Sequence, residues 1–502
     1  MCLPLFCIFL YLIEVIQASP TPNTTNTTTT NDSFKAPSFT TRTLWTIISS
    51  SVLTLFACIY SAIHPNIPSP KNSSWYHILW RQLGIMIMAL IAPELIVTWA
   101  MRQLFSAHQV TRQFKESGYP NVRPESEASE FVEAPETANP FLRLSLRLTE
   151  AFVRLSVMLV TGVPVSLWRL LCALVTWVVR RIQSEHSESD SEDLTWTRTY
   201  SFFVLMGGFM LYVNEEPYRT LRPKHILKLI HDKCIKVPTL TANQIHDKSK
   251  GNAISKGLIM LQVAWFVMQL ITRVIYRLET TQLEVGTLAF AVLNFLTYAL
   301  WWDKPLDVRC PHPVYWKSTE SRPEDHIDIS DRDDFAQLRY LPRVFSPIIE
   351  LIGWADIPTS RKLQVPTFDG SIELDVSDKT ILQQAALIMA IIFGGIHCMA
   401  WFFAFPTYEE QVLWRISAVV TTCTPCLCLS AYLNSEIIDL VRRLPDSERH
   451  IIWGVYLMTC CALVTLYITA RVVLLVLMFT TLRNLPPDAY KVVSWTSLVP
   501  HL

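Results

Sequence analysis

Long apolar runs alternate with polar stretches along most of the chain, and the runs approach the length that crosses a lipid bilayer. A hydrocarbon core of about 30 Å takes roughly 20 helical residues. Such runs predict membrane helices at residues 44–63, 78–100, 155–179, 258–276, 285–302, 380–405, 411–433 and 451–481. The expected fold class is an all-α polytopic membrane protein with six to eight transmembrane helices and polar loops.

The alternation of polar and apolar stretches also divides the chain into segments. They are a signal peptide (1–19), a disordered Thr/Asn-rich glycosylated tail (20–43), a first transmembrane pair (44–100), a polar loop region (101–253), a transmembrane hairpin (254–302), a cytosolic mixed-charge loop (303–379), a C-terminal transmembrane bundle (380–482) and a tail (483–502). Within the polar loop region, residues 155–179 are long enough to cross but contain Pro164 and Arg169. If they cross, there are eight spans; if they do not, residues 78–100 also fail to cross and there are six.

The N-terminal residues predict an outward-facing, glycosylated start. The first apolar stretch ends in Ile-Gln-Ala-Ser, which is typical of a signal peptide cleavage site, although Glu14 interrupts it and an uncleaved anchor is the alternative. The Thr/Asn tract that follows carries glycosylation sequons at Asn23, Asn26 and Asn31. These features predict an integral membrane protein of the secretory pathway or plasma membrane.

Several local signals modify the simple picture of straight spans. The pair Pro93-Glu94 lies inside apolar sequence and predicts a kink, a break or a segment that re-enters without crossing. Residues 196–213 are apolar but short, which predicts a buried or interfacial segment with a bend at Gly207-Gly208. Arg471 lies late in the last apolar run, where it marks an exit from the membrane or a protein-lined interior.

The hairpin carries the most suggestive polar positions. Gln262, Gln269 and Arg273 share one helical face, and Asn294 lies on the second helix. Amides are costly in hydrocarbon unless they are paired, so these positions should face each other or another helix. In one interpretation, the packing interpretation, Gln and Asn bond across the hairpin while Arg273 snorkels to the interface; in the other they line a water-filled path with Arg273 as an anion-attracting charge.

Candidate chemistry beyond the hairpin is sparse. His397 beside Cys398 lies in a span, where histidine can bind metal or haem, relay protons or make an interhelical hydrogen bond. His231-Asp232 and Glu324-Asp325-His326 are neighbours in polar segments, and adjacency alone gives no catalytic arrangement. No catalytic residue, metal ligand or cofactor is assigned from the sequence.

Composition excludes some function classes. Only 17% of the 502 residues are charged, against about 25% in typical soluble domains. The net charge is zero, so the composition does not indicate nucleic-acid binding. With 13 glycines and no phosphate-cradling loop, a nucleotide-binding domain is not expected. The expected partners are the lipid bilayer and proteins that contact the cytosolic loops.

Several longer motifs resemble a known group. DKSKGNAISKGLIMLQVAWFVMQLITR, LEVGTLAFAVLNFLTYALWWDKPLDV, FGGIHCMAWFFAFPTYEEQVLWR and the closing WTSLVPHL are similar to sequences of uncharacterised fungal multi-pass integral membrane proteins. The resemblance covers most of the chain from about residue 44. It implies a fungal source and this architecture, and it implies no activity.

Three functions follow as expectations. The first is a membrane scaffold or sensor that acts through its polar loops. The alternative is a transporter or channel whose polar path is lined by the 254–302 hairpin. An integral-membrane enzyme or a metal or haem binder around His397 comes third, and the pattern favours a protein that is not an enzyme.

Overall fold

The computed structural model describes residues 39–61, 63–70, 75–119, 196–238, 240–249, 253–317, 323–326, 363–433 and 446–493. The predicted signal peptide, the sequons at Asn23, Asn26 and Asn31, and the ambiguous span at 155–179 lie outside these residues. The α-helices are α1 (Leu44–Ser61), α2 (Trp75–Ile91), α3 (Pro93–Glu116), α4 (Arg198–Leu205), α5 (Pro223–His231), α6 (Ala242–Lys248), α7 (Ala253–Ile275), α8 (Gln282–Leu300), α9 (Pro323–His326), α10 (Val376–Cys398), α11 (Tyr408–Leu433) and α12 (Asp446–Thr480). The strands are β1 (Phe39–Thr41), β2 (Phe209–Val213), β3 (Glu216–Thr220), β4 (His312–Tyr315) and β5 (Lys491–Val493).

The described chain is mostly helical, as predicted, but it also contains two small sheets that an all-α class leaves out. β1 pairs antiparallel with β5. The second sheet has the order β3-β2-β4, with β2 antiparallel to β3 and parallel to β4. The buried segment 196–213 divides into α4 and β2 because Gly207 adopts a φ of +92° between them.

Four described helices are long and apolar enough to cross a membrane, and the bent pair of α2 and α3 raises the number to five if it counts as one span. The four are the segments Leu44–Ser61, Gln282–Leu300, Val376–Phe402 and Met458–Arg483. On the first and last of them only 22% of the residues in the most apolar window are buried. Helices with so much exposed apolar surface are suited to contact with lipid.

The predicted break at Pro93 is confirmed. α2 ends at Ile91, α3 begins at Pro93, and their axes differ by 113°. Proline fits the first turn of a helix because the N–H that it lacks would have no intrahelical partner there. It cannot continue a helix that precedes it. The break therefore follows from the covalent chemistry of one residue.

A third helix, α1, packs against both helices of the predicted hairpin. α7 and α8 each pack along α1 and make few contacts with each other. The buried face of α1 carries Ser51, Thr54, Cys58 and Ser61, and small side chains let helices approach closely. The two hairpin helices are therefore joined through α1.

Contacts between loops define two ends of the helical bundle. At one end Arg42, before α1, pairs with Glu284 at the start of α8, and β1 pairs with β5 after α12. At the other end Lys304, after α8, contacts His64, which follows α1. We call these the cradle end and the junction end.

Candidate functional site: polar groups inside the bundle

The two hairpin amides that the sequence singled out both bind α1. Gln262 Nε2 donates to Thr54 Oγ1 at 3.1 Å, and Asn294 Nδ2 donates to Ser61 Oγ at 3.3 Å. Gln269 is half-buried and joins neither contact. The amides therefore connect the hairpin helices to α1, and they do not bond each other across the hairpin.

A small cavity lies beside Asn294, whose Oδ1 has no hydrogen-bond partner among the described residues. Its volume is about 20 Å³, and its wall includes Cys58, Pro93 and Phe290. A cavity of this size holds about one water molecule. The position thus offers a site for a bound water next to the break between α2 and α3.

Arg273 is buried in a cradle of main-chain carbonyl groups and does not snorkel, contrary to the packing interpretation. Arg273 as a whole is only 3% exposed. Nη1 donates to the carbonyl of Lys491 at 2.8 Å, Nη2 donates to that of Ala489 at 2.9 Å, and Nε donates to that of Glu279 at 3.1 Å. These bonds tie the turn after α7 to the segment after α12. We call this group the Arg273 cradle.

An ion pair strengthens the same end. Arg42 Nη1 lies 2.6 Å from Glu284 Oε1, and both side chains are almost fully buried. Glu284 also accepts a bond from the main-chain N–H of Thr281, while the Thr281 hydroxyl caps the start of α8. A buried pair is stable when its other hydrogen-bonding groups are also satisfied, and this capping box satisfies Glu284.

The break between α2 and α3 is capped by α12. Arg471 Nε donates to the carbonyl of Ile91 at 2.8 Å, and Nη2 donates to that of Leu90 at 3.0 Å. Its guanidinium carbon lies 3.9 Å from the ring centre of Phe393, within the range of a cation–π contact. The last carbonyls of a helix have no partner inside it, so a cation from another helix satisfies them. We call this group the elbow.

The first turn of α3 completes the elbow. Tyr467 donates its hydroxyl to Glu94 Oε1; Glu94 is buried and Tyr467 is half-buried. The second carboxyl oxygen, Glu94 Oε2, has no partner among the described residues. Sequence reasoning found Pro93-Glu94 and Arg471 separately and had no signal that joined them, because about 380 residues separate the two.

His397 lies among aromatic rings, 1% exposed. Its Nδ1 contacts the carbonyl of Phe393 at 2.9 Å, and its own carbonyl accepts from Trp414 Nε1 at 3.0 Å. Nε2 has no partner within the described part of the chain. Among the described residues, no group of three or more His, Cys, Asp or Glu side chains is arranged so that it could hold a metal ion.

At the junction end, a lysine is buried in a polar and aromatic cage. Lys304 Nζ donates to Gln103 Oε1 at 2.8 Å and to the carbonyl of His64. It lies 4.4 Å from the ring centre of Trp301 and 5.0 Å from that of Trp99. Burial lowers the pKa of the Lys304 amine well below its ordinary value. Sequence reasoning assigned no role to Lys304, because most of its cage comes from two distant segments, one at His64 and one that carries Trp99 and Gln103.

The same cage fixes the loop before α10. The Asp369 carbonyl accepts from Gln103 Nε2 at 2.7 Å, Asn66 Nδ2 at 3.0 Å and Trp99 Nε1 at 3.1 Å. Gly370 follows with a φ of +99°, and a Cβ on it would lie 2.5 Å from Gln103 Nε2. Close approach and backbone conformation therefore both require glycine there. We call the group of His64, Asn66, Trp99, Gln103, Trp301, Lys304 and Asp369 the Lys304 junction.

A known family covers these sites. Its sequence model, described as a family of unknown function (DUF8562), matches residues 5–136, 176–326 and 369–502, which is most of the chain. The chain belongs to this family. The DUF8562 match includes Arg273 and Lys304 and both sides of the elbow, with Glu94 in its first part and Arg471 in its third. No curated protein and no solved structure matches the chain.

Proposed function

We propose that this chain is a multi-pass membrane scaffold or sensor that acts through the polar lobe at its junction end. One observation carries the proposal: the polar groups inside the bundle join chain segments to one another. Gln262 and Asn294 bind α1, Arg273 binds the loops of the cradle end, and Arg471 binds the end of α2. A bundle fixed in this way supports an anchoring role better than a conducting one.

The lobe, which is formed by α4–α6, β2–β4 and α9, offers the surface for partners. It contains the sheet β3-β2-β4, in which β3 and β4 are the outer strands among the described residues. Tyr315 on β4 is 58% exposed, and Tyr218 on β3 is 36% exposed. Tyrosine is enriched at protein interfaces because it gives a large contact area at a small entropic cost. The Lys304 junction ties this end of the chain to α3 and α8, so a partner bound here would act on a rigid base.

We further propose a topology of six crossing helices, α1, α7, α8, α10, α11 and α12, with α2 and α3 as a re-entrant pair. Arg81 on α2 bonds the carbonyl of Asn66, and Trp99 and Gln103 on α3 belong to the Lys304 junction. Both helices of the pair thus contact the junction end. The lobe is assigned to the cytosol and the cradle end to the lumen or exterior, in the secretory pathway or plasma membrane.

Transport is the second candidate. The cavity beside Asn294 lies at the broken span, and discontinuous helices form the binding sites of many transporters. Its volume of about 20 Å³ is enough for about one water molecule and too small for a larger solute. This candidate needs a second conformation in which the cavity opens.

Thiol labelling separates the two candidates. Single cysteines at Gln262, Gln269 and Asn294 would be treated with a water-soluble maleimide in membranes, and the peptides read by mass spectrometry so that native cysteines are distinguished. We expect protection at all three positions, with labelling at Tyr408→Cys as the exposed control. Labelling at Gln262 and Asn294 would indicate a hydrated path and would favour transport.

A second experiment tests the lobe itself. A photo-crosslinking amino acid at Tyr218 or Tyr315 should give discrete adducts with other proteins in intact cells. The same group at Tyr408, at the cradle end, serves as the matched control. Equal, diffuse adducts from all three positions would argue against a partner surface on the lobe.

A further inference from the structure

A cysteine, a histidine and an aspartate from separate segments form a hydrogen-bonded row in the lobe. Cys234 Sγ lies 3.7 Å from His326 Nε2, and His326 Nδ1 lies 2.7 Å from Asp232 Oδ2. Asp232 and Cys234 follow α5, whereas His326 belongs to α9, more than ninety residues later. The order thiol, imidazole, carboxylate is the order found in activated nucleophiles.

The backbone holds the thiol in place. Ile235 forms an isolated bridge with Trp316, and the main-chain N–H of Lys317 donates to the Cys234 carbonyl at 2.8 Å. Lys233, just before the cysteine, adopts a φ of +57° that closes the turn after α5. Cys234 is therefore fixed beside the end of β4 through its own carbonyl and through its neighbour Ile235.

The carboxylate determines which imidazole nitrogen faces the thiol. An ionised Asp232 only accepts hydrogen bonds, so His326 Nδ1 carries the proton and Nε2 is left as an acceptor toward Cys234. Hydrogen bonds from His231 and His326 hold the pKa of Asp232 below its ordinary value, which keeps this carboxylate ionised at neutral pH. The arrangement favours transfer of the thiol proton to His326 and formation of a thiolate.

We propose that Cys234 is a reactive thiol that a small peroxide oxidises to a sulfenic acid, with His326 as its base and Asp232 as the residue that positions the imidazole. Cys234 is only 2% exposed, so the oxidant that we propose is one as small as hydrogen peroxide and not a bulky electrophile. The site is independent of the scaffold or sensor role proposed above.

The reaction balances with the groups present and one peroxide. His326 Nε2 takes the thiol proton, and the thiolate attacks one peroxide oxygen as the O–O bond breaks. The sulfur loses two electrons and becomes Cys–SOH. The leaving oxygen takes the two electrons and then the proton from His326, which gives water or an alcohol.

The test measures oxidation rates in the full-length protein in its native membranes. Hydrogen peroxide would be added for set times, the protein then denatured in the presence of a dimedone probe so that the probe reaches buried sulfur, and sulfenic acid at each cysteine quantified by peptide mass spectrometry. Cys310, which is exposed, is the internal comparison. We expect Cys234 to react faster than Cys310 by about tenfold or more, since a positioned base contributes at least that much. Equal or slower reaction at Cys234 would overturn the proposal without any variant.

Variants then separate the roles. His326→Gln should slow oxidation of Cys234 about tenfold or more, whereas His246→Gln, which changes an exposed histidine on α6, should leave it unchanged. Asp232→Asn should move the midpoint of the pH–rate profile to higher pH, and Asp232→Glu should restore it in part. If His246→Gln and His326→Gln slow the reaction equally, or if Asp232→Asn leaves the profile in place, the base and positioning roles are wrong.

Discussion

Three buried cations in this protein satisfy their hydrogen-bond donors largely with main-chain carbonyl oxygens. Arg273 binds the carbonyls of the cradle end, Arg471 binds the last carbonyls of α2, and Lys304 binds that of His64. Backbone carbonyls near a helix end or a loop have no intrahelical partner, so a cation satisfies them and is itself satisfied. At these three positions the charge acts as a connector of chain segments.

The Arg273 cradle gives the first prediction. Arg273→Gln should lower the unfolding temperature of the detergent-solubilised protein, corresponding to a loss of about 3 kcal/mol or more, because several buried carbonyls lose a charged donor. Arg277→Gln is the matched control, since Arg277 lies four residues further along and is exposed. Equal effects of the two changes would mean that the cradle contributes nothing to stability.

The Lys304 junction predicts a dependence on pH. The lowered pKa means that the unfolded chain binds more protons than the fold between that pKa and the ordinary value of 10.5, so this residue makes stability rise with pH in that range. Lys304→Met lacks the effect. Its unfolding temperature relative to wild type should therefore fall as the pH is raised toward 10.5.

Thermal unfolding in detergent at several pH values measures this difference. Lys224→Met, which changes an exposed lysine on α5, should show the same offset from wild type at each pH. A Lys304→Met offset that also stays constant would show that the amine is equally protonated in the folded and unfolded states.

At the scale of the elements, the sequence predicted what local patterns determine. The apolar runs gave α1, α8, α10 and α12 to within a few residues, and Pro93 gave the break after α2. The packing of α1 between α7 and α8 was missed, because the small residues of α1 carry no signal of which helices they meet. The parallel pairing of β2 with β4 was missed for the same reason, since about 100 residues separate the strands.

The candidate sites divide in the same way. Sequence reasoning found Gln262, Asn294 and Arg471 because a polar residue inside an apolar run is visible by itself. It assigned no role to Lys304 or Asp369, and it left Asp232 and His326 as unrelated surface pairs. The role of each of these residues depends on a contact with a residue far away in the sequence. The periodicity of a helix or strand carries no information about such contacts.

Two neighbouring glycines test the contact between α10 and α11. A Cβ on Gly394 would lie 2.8 Å from Thr422 Cα, whereas one on Gly395 would have nothing within 4 Å. Gly394→Ala should therefore force the helices apart and destabilise the protein by about 1–3 kcal/mol. Gly395→Ala should be neutral or stabilise it by up to about 1 kcal/mol, because alanine favours a helix.

Unfolding of both variants under the same detergent conditions decides the point. Both variants add the same methyl group and the same gain in helix propensity, so they differ only in the position of the change. If Gly395→Ala destabilised the protein as much as Gly394→Ala, the close approach of the two helices at Thr422 would be contradicted.

At the scale of the whole molecule, the proposed re-entrant pair makes a prediction about sidedness. Thr43 and Tyr408 lie at the cradle end, whereas Glu116 is the last residue of α3, and all three are exposed. With cysteine at each position, a membrane-impermeant thiol reagent should label Thr43→Cys and Tyr408→Cys from one side of sealed vesicles and Glu116→Cys from the other. Labelling of Glu116→Cys together with Thr43→Cys would mean that α2 and α3 cross the membrane.

The elbow also has a consequence for how the protein is made. Its acceptors, Leu90 and Ile91, leave the ribosome about 380 residues before Arg471 and Tyr467. The same holds for β1, whose partner β5 follows about 450 residues later. In the proposed membrane arrangement, the early helices must therefore wait with exposed carbonyls and an unpaired Glu94. A premature stop codon anywhere before α12 should leave a polypeptide that cellular quality control can recognise and degrade.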